Sequence, residues 1–180
     1  MQYSDIMIDL ETLGTTPGSA ILSVAAVPFV RDREYSEAEG RADAFYAKIS
    51  LKDSLRRGFS VDADTLVWWL GQNKAAQDKA FIEGCSLTCD VALQGLSKFF
   101  QDHLDAKVWS NGADFDIPLL ASYYAALGQP VPWKFKNVRC YRTIVREIWD
   151  PQFKPCTDDL VAHDPVDDCI KQIRTLRGDA

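Results

Sequence analysis

The sequence predicts an α/β fold in which a three-strand meander is joined to parallel strands in a mixed sheet flanked by helices. Two observations lead to this class. Three mainly apolar runs lie within the first fifty residues, and helical periodicity begins at about residue 62. A further strand at 106–110 then leads directly into a helix, which is the element order of an α/β protein.

The first strands are separated by clear turn and loop chemistry. Residues 3–9 predict a central strand, and residues 20–30, rich in small and branched side chains, predict a second. The Thr-Thr-Pro-Gly-Ser stretch at 15–19 predicts the turn between them. The charged segment 31–43 predicts a loop, and 44–49 a third strand.

Helices follow, each with a capping residue or apolar periodicity. Asp62 or Asp64 can cap a helix that contains Trp68 and Trp69. Asn73 can cap the next helix, which extends to Ile82. Residues 88–103 predict a third helix from apolar side chains at near-helical spacing.

The second half predicts one more strand and several helices. The strand at 106–110 leads through Asn111 and Gly112 into a helix, and 128–140 is a predicted loop. Residues 141–149 predict a helix, and 150–162, with two prolines, a further loop.

The last helix, from Pro165 to about Leu176, has the clearest start. Asp164 suits the N-cap and Pro165 the first helical position. This register places His163 just before the helix and Asp168 in its first turn.

Composition limits the function classes. The chain of 180 residues suits one domain, residues 1–180, and its 47% hydrophobic and 26% charged residues are ordinary for a globular protein. A net charge of -6 and a pI near 4.9 exclude a basic protein that coats nucleic acid. An acidic nuclease remains compatible if it grips a chain end and bound metals supply the positive charge.

Cysteine content and hydropathy predict a reduced, cytoplasmic protein without membrane contact. Five cysteines without a Cys-x-x-Cys pair predict free thiols, and a zinc site from Cys85, Cys89, Cys156 and His163 matches no known ligand spacing. The N-terminus lacks a signal-peptide pattern, and the longest apolar stretch, 21–30, is too short to span a bilayer.

Two carboxylates end the first strand. Asp9 and Glu11 are two residues apart, so an extended backbone points both to the same side. Such like charges are tolerated around a cation, and oxygen ligands suit Mg²⁺ or Mn²⁺. The alternative is a strand that runs into a solvated acidic turn. Asp116 also follows a strand, and three carboxylates at one sheet edge favour the metal site.

These motifs resemble those of the DEDDh 3′→5′ exonucleases, which include RNase T, oligoribonuclease and polymerase proofreading subunits. The matching residues are Asp9-x-Glu11-Thr12-x-Gly14, the pair Phe115-Asp116, and His163 five positions before Asp168. The double tryptophan at 68–69 and the segment 165–172 are similar to the small bacterial and phage exoribonuclease-like branch.

The resemblance implies an RNase H-like fold and a set of site residues. Asp9, Glu11, Asp116 and Asp168 would hold two Mg²⁺ or Mn²⁺ ions, and His163 would deprotonate the attacking water. The substrate-binding residues would be Thr12, Leu13, Trp69 and Phe115.

Several neighbours have structural interpretations beside the functional ones. Asp114 suits a helix cap and Asp167 the first turn of the last helix, so we assign both to structure. Adjacent helical residues do not share a face, so one of Trp68 and Trp69 can enter the core while the other offers a stacking surface, although two core rings are equally expected.

The sequence therefore predicts a metal-dependent exonuclease that releases nucleoside 5′-monophosphates from single-stranded or overhanging 3′ ends of RNA or DNA. The alternatives are a catalytically silent nucleic-acid-binding module of the same fold and a small-nucleotide phosphoesterase. A homodimer is common in related enzymes, with Trp133 and Trp149 as interface residues or, equally, core residues.

Overall fold

A five-stranded mixed sheet forms the centre of the computed structural model, which describes residues 3–31, 34–147, 157 and 159–179. The strands are β1 (Asp5–Thr12), β2 (Ile21–Phe29), β3 (Phe45–Lys48), β4 (Lys107–Ser110) and β5 (Val138–Cys140). Their order in the sheet is β3-β2-β1-β4-β5. Strands β1 to β3 form the predicted antiparallel meander, and β4 and β5 add to it in parallel.

Eight α-helices among the described residues surround the sheet. A turn of π-helix at Asp78–Ile82 continues the fourth helix, and a short 3₁₀ segment, Phe135–Asn137, precedes β5. The helices are α1 (Glu37–Ala42), α2 (Leu51–Arg56), α3 (Ala63–Leu70), α4 (Lys74–Gln77), α5 (Cys89–Gln101), α6 (Asp116–Ala126), α7 (Tyr141–Glu147) and α8 (Pro165–Arg177).

The two faces of β1 pack against different helices. Even-numbered residues such as Ile6 and Ile8 enter the larger core, with α5 and α6. The odd-numbered Met7 enters a second cluster together with Ile170 and Ile173 of α8. Because side chains alternate along a strand, Asp9 and Glu11 belong to the side on which α8 lies.

The mixed sheet with its meander is confirmed, and three short elements correct the sequence prediction. Part of the predicted loop 31–43 is helix α1, whose Ser36 cap accepts a hydrogen bond from the Glu39 backbone N–H. Helix α2 was not predicted, and the predicted loop 128–140 ends in β5. These elements have three to six residues, too few to show a period.

The start of α8 is as predicted. The Asp164 carboxylate accepts hydrogen bonds from the backbone N–H groups of Val166 at 2.9 Å and Asp167 at 3.3 Å. The preceding helix α7 is described from Tyr141 to Glu147, and Trp149, where the sequence predicted its end, lies outside the described residues. So does most of the predicted loop 150–162.

Other sequence expectations concern tryptophan, cysteine and membranes. Trp133 is buried in the larger core, where its ring meets Phe100 and Tyr124. Cys85 and Cys89 are free thiols, Cys89 is buried, and Cys156 lies outside the described residues. In the part of the chain that is described, no helix combines the length and apolarity that crossing a membrane requires.

Candidate active site

The carboxyl ends of β1 and β4 lie at the same edge of the sheet because these neighbouring strands are parallel, with Ile8 opposite Ser110. Asp9 and Glu11 are among the last four residues of β1, and Glu11 is only 7% exposed. The chain after β4 turns through Gly112, whose carbonyl accepts a hydrogen bond from the Asp116 backbone N–H at 3.2 Å. This turn brings Asp116, 2% exposed, to the same edge.

Helix α8 brings the remaining two residues to that edge. The backbone N–H of His163 donates to the Asp168 carboxylate at 3.2 Å, so the histidine is tied to the first turn of the helix. His163 has a φ of 63°, and it alone among the described non-glycine residues lies in the left-handed region. Its ring meets Trp68 edge-on at 5.2 Å and Trp69 at 5.8 Å.

The five residues proposed as catalytic from the sequence come together. Ligand atoms of Glu11, His163 and Asp168 lie within 4.8 Å of one another. A pocket of about 480 Å³, which we call the carboxylate pocket, has all five in its walls. They are Asp9, Glu11, Asp116, His163 and Asp168.

Burial and mutual repulsion raise the pKa values of the carboxylates in this pocket. Burial, followed by the charge of Asp116, raises the pKa of Asp9 well above its ordinary value. Burial and the charge of Asp168 raise the pKa of Glu11 to about 9. Burial also raises the pKa of Asp116, to about 7, and that of Asp168. The four acids therefore need positive charge from a ligand to ionise together.

The donor set fits a divalent cation. All four acids offer carboxylate oxygens, which are hard ligands of the type that Mg²⁺ and Mn²⁺ prefer. Oδ2 of Asp116 is buried and has no hydrogen-bond partner among the described residues. A buried carboxylate oxygen without a partner is costly unless a ligand meets it.

Sequence reasoning missed Gln172 of α8. Its side-chain amide donates to the Asp9 carboxylate at 3.0 Å and so orients it. A signal was present, because Gln172 lies four residues after Asp168 and therefore on the same side of α8. The helix start is held from the other side by an ion pair between Lys79 and the cap residue Asp164, at 2.7 Å.

A second pocket of about 690 Å³ adjoins the first and shares Leu10, Glu11 and Phe115 with it. We call it the side pocket. Thr12, Trp69 and Phe115, proposed from the sequence to bind substrate, line it. The fourth such residue, Leu13, is 1% exposed and belongs to the larger core.

The two tryptophans divide between core and surface. Trp69 is 1% exposed, and its indole N–H donates to the Thr12 carbonyl at 2.9 Å. Trp68 is 46% exposed and lines the side pocket, so its ring is the one of the two that solvent reaches. From the sequence, this division was one of two interpretations, and Trp69 rather than Trp68 was placed among the substrate-binding residues.

The acidic neighbours of the site have basic partners. The sequence suggested that Asp114 caps α6. In the structure α6 has no side-chain cap, and the Asp114 carboxylate pairs with Arg142 at 2.7 Å. Asp167 accepts from Arg41 and from the backbone N–H of Val161, the latter at 2.8 Å. Neither residue lines the carboxylate pocket.

Known proteins match the chain over nearly its whole length. The family described as "3'-5' exoribonuclease Rv2179c-like domain" matches residues 4–178. An exodeoxyribonuclease of Enterobacteria phage T4 is 25% identical over 202 residues, which cover 96% of this chain and 87% of the phage protein.

Solved structures of exonuclease I are similar in fold. One matches with a TM-score of 0.66 at 14% identity, and E. coli exonuclease I in complex with a 5cy-dT13 oligonucleotide matches with 0.62 at 16%. Each alignment covers 98% of this chain and 40% of the exonuclease I chain, so the present chain spans about two fifths of these proteins. The shared fold is RNase H-like, as the sequence predicted. Because the family match spans residues 4–178, the chain belongs to the 3'-5' exoribonuclease Rv2179c-like domain family and is a 3′→5′ exonuclease.

Proposed function

We propose that residues 1–180 form a single exonuclease domain that uses divalent metal ions to remove nucleoside 5′-monophosphates from single-stranded or overhanging 3′ ends. One observation carries the proposal. Four carboxylates from three separate segments share the carboxylate pocket, and none of them forms an ion pair with a lysine or arginine among the described residues. Such an arrangement is built for a cationic ligand.

The metal ligands in this proposal are Asp9, Glu11, Asp116 and Asp168, which hold two Mg²⁺ or Mn²⁺ ions. When bound, such a pair of ions stabilises the attacking and the leaving oxygen of an in-line displacement at phosphorus. Gln172 fixes the orientation of the Asp9 carboxylate through its hydrogen bond at 3.0 Å. Residues that orient a ligand in this way contribute to metal affinity.

His163 takes the proton from the attacking water in this proposal. Imidazole is the side chain most often used as a general base near neutral pH. Its place supports the role, because it lines the carboxylate pocket beside Asp168. The left-handed backbone and the two indole rings restrict where the imidazole can move.

The side pocket binds the terminal nucleotide in this proposal. It opens from the carboxylate pocket at Leu10, Glu11 and Phe115, so a base can enter it while the phosphate remains at the carboxylates. Phe115 and the half-exposed Trp68 offer stacking surfaces. Thr12 lines the wall of the pocket, with Trp69 and Leu13 supporting it from the core.

The comparisons support both sugar types. The family description names an exoribonuclease, the phage relative is an exodeoxyribonuclease, and one exonuclease I structure contains a dT13 oligonucleotide. We therefore propose that single-stranded RNA and DNA ends are both substrates. We also propose a cytoplasmic location and a homodimer, and light scattering of the purified protein tests the dimer.

Digestion of matched RNA and DNA oligonucleotides, labelled at either end, tests the function. With Mg²⁺ or Mn²⁺, a 5′ label should give a ladder of shortened products and a 3′ label should give mononucleotide at once. EDTA should stop both reactions, and the Asp116→Asn variant should be inactive in parallel. Cleavage of mononucleotide esters without shortening of oligomers would instead indicate a small-nucleotide phosphoesterase.

A further inference from the structure

Arg142 occupies the rim of the carboxylate pocket. It lies in the first turn of α7, and its backbone N–H donates to the Asn111 carbonyl at 3.0 Å. One guanidinium nitrogen, Nη2, donates to the Asp114 carboxylate at 2.7 Å. The side chain is 43% exposed, so it is held in place and yet open to solvent.

Gly112 makes room for this ion pair. A Cβ atom at this position would lie 2.7 Å from Arg142 Nη2 and 2.8 Å from Asp114 Oδ1, closer than real Cβ contacts come. Any larger residue would displace the guanidinium. The junction between β4 and α6 therefore places Asp116 in the carboxylate pocket, and its residues Gly112 and Asp114 hold the Arg142 side chain at the rim of that pocket.

The chain has a net charge of -6, so a basic side chain near the site favours the approach of an oligonucleotide. Arg142 and Lys171 are the lysine or arginine residues in the described pocket wall. Lys171 lies three residues after Asp168 on α8 and is therefore beside that carboxylate. Arg142 instead faces Asp114, which is 78% exposed, and thus the solvent side.

We propose that Arg142 binds the backbone phosphate on the 5′ side of the scissile linkage. This inference rests on the proposed function, in which the scissile phosphate lies at the carboxylates and the 3′-terminal base in the side pocket. The side pocket joins the carboxylate pocket at Leu10, Glu11 and Phe115. Arg142 is another wall residue and is 43% exposed, so the strand can leave the carboxylate pocket past its guanidinium. A guanidinium has donors enough to serve Asp114 and a phosphate together.

The test combines one protein change with one substrate change. Two oligonucleotides are compared, identical except that the second linkage from the 3′ end is a phosphodiester in one and an uncharged methylphosphonate in the other. Release of the first nucleotide is followed under single-turnover conditions. In the wild-type protein the neutral linkage should raise the half-saturating concentration about tenfold. In Arg142→Ala the two oligonucleotides should differ less than about twofold, with a maximal rate near that of the wild type.

Two matched variants complete the experiment. Arg139→Ala removes a nearby guanidinium that bonds to the carbonyls of Lys136 and Val138 and does not line the pocket, so it should keep the tenfold difference. Arg142→Lys should keep part of the difference, because lysine keeps the positive charge but lacks the planar, multi-donor geometry of a guanidinium.

Two results would overturn the inference. One is a tenfold difference that persists in Arg142→Ala, and the other is its equal loss in Arg139→Ala. If the wild-type protein shortens neither oligonucleotide in Mg²⁺ or Mn²⁺, the proposed function fails and this inference fails with it. Thermal melting of Arg142→Ala, expected to be close to that of the wild type, separates lost binding from lost folding.

Discussion

Acidic residues have opposite environments in the carboxylate pocket and in the layer of ion pairs between α1 and α8, which we call the ion-pair layer. In the ion-pair layer, Arg174 donates to Glu37 at 2.7 Å and to Asp159 at 2.7 Å, and Arg41 pairs with Asp167. The hydrogen bond from Arg174 lowers the pKa of Asp159 to about 2. In the pocket, burial and repulsion raise the pKa of Glu11 to about 9.

This difference separates the acids that have basic partners from those that we propose as metal ligands. Adjacent residues illustrate it, because Asp167 has a guanidinium partner while Asp168 is turned into the pocket with Glu11 and His163. The same contrast separates Asp114, paired with Arg142, from Asp116, which has an oxygen without a partner among the described residues. Single substitutions within the pairs Asp167/Asp168 and Asp114/Asp116 therefore test whether only the pocket acids are needed for activity.

The largest effect is expected at Asp116. Asp116→Asn removes a proposed metal ligand and should lower kcat/KM by about 10²–10³-fold or more. Asp114→Asn keeps an oxygen acceptor for Arg142 and should stay within about threefold of the wild type. The rate of nucleotide release from a labelled oligonucleotide measures both. Equal losses would show that the division between the two aspartates is wrong.

Replacement of the proposed base should come next. His163→Asn is preferred to alanine because asparagine tolerates the left-handed backbone found here, at a φ of 63°. We expect kcat to fall about 10²–10³-fold, within the usual range for a lost general base. His103→Gln, a change at the opposite end of β1, where the ring packs against Tyr3 and Phe99, is the control. A His163→Asn variant with wild-type kcat would disprove the base.

Gln172→Ala should act on metal affinity rather than on the chemistry directly. Loss of its hydrogen bond to Asp9 should weaken metal binding about 10–100-fold. Titration of activity with Mn²⁺ would show this as a shift of the midpoint, with activity recovered at high metal concentration. Gln101→Ala, at the exposed end of α5, should leave the midpoint unchanged. A midpoint that does not move would exclude an orienting role for Gln172.

The raised pKa values predict how the metal-free protein responds to pH. Glu11 and Asp116 have folded-state pKa values near 9 and 7, above those of an unfolded chain, so the folded state binds more protons. Their contribution to stability is complete below about pH 4 and is lost as pH rises through 7 to 9. In EDTA the melting temperature should therefore fall from pH 6 to pH 9.

Metal should reverse that trend, because its ligands must be deprotonated to bind. The rise in melting temperature on addition of Mn²⁺ should be larger at pH 8 than at pH 6. Differential scanning fluorimetry at matched ionic strength measures both quantities. Glu11→Gln should flatten the pH dependence in EDTA, and an unchanged slope in that variant would contradict the assignment.

The smallest effect is expected in the ion-pair layer. Asp167→Asn loses a partly exposed ion pair with Arg41 but can still accept the Val161 backbone N–H. We expect a melting temperature about 1–3 °C lower and activity within about twofold of the wild type. A large loss of activity would place Asp167 in the site and break the contrast with Asp168.

Local patterns in the sequence were sufficient for several parts of the site. The two-residue period of a strand predicted that Asp9 and Glu11 share a side, and Asp164 followed by Pro165 predicted the start of α8. Both depend on the backbone of a few consecutive residues, which local chemistry controls. The short α1, α2 and β5 were missed because they form through packing and pairing rather than through a pattern of their own.

The fold class, the family resemblance and the five proposed catalytic residues could all be predicted from the sequence. Three features could be seen only in the folded chain, namely the exposure of Trp68 beside the buried Trp69, the hydrogen bond from Gln172 to Asp9 and the contact of Arg142 with Gly112. Gln172 and Asp9 are 163 positions apart, and their contact exists because α8 packs on one particular face of β1. Such contacts depend on how distant segments pack together, which no local period or cap records.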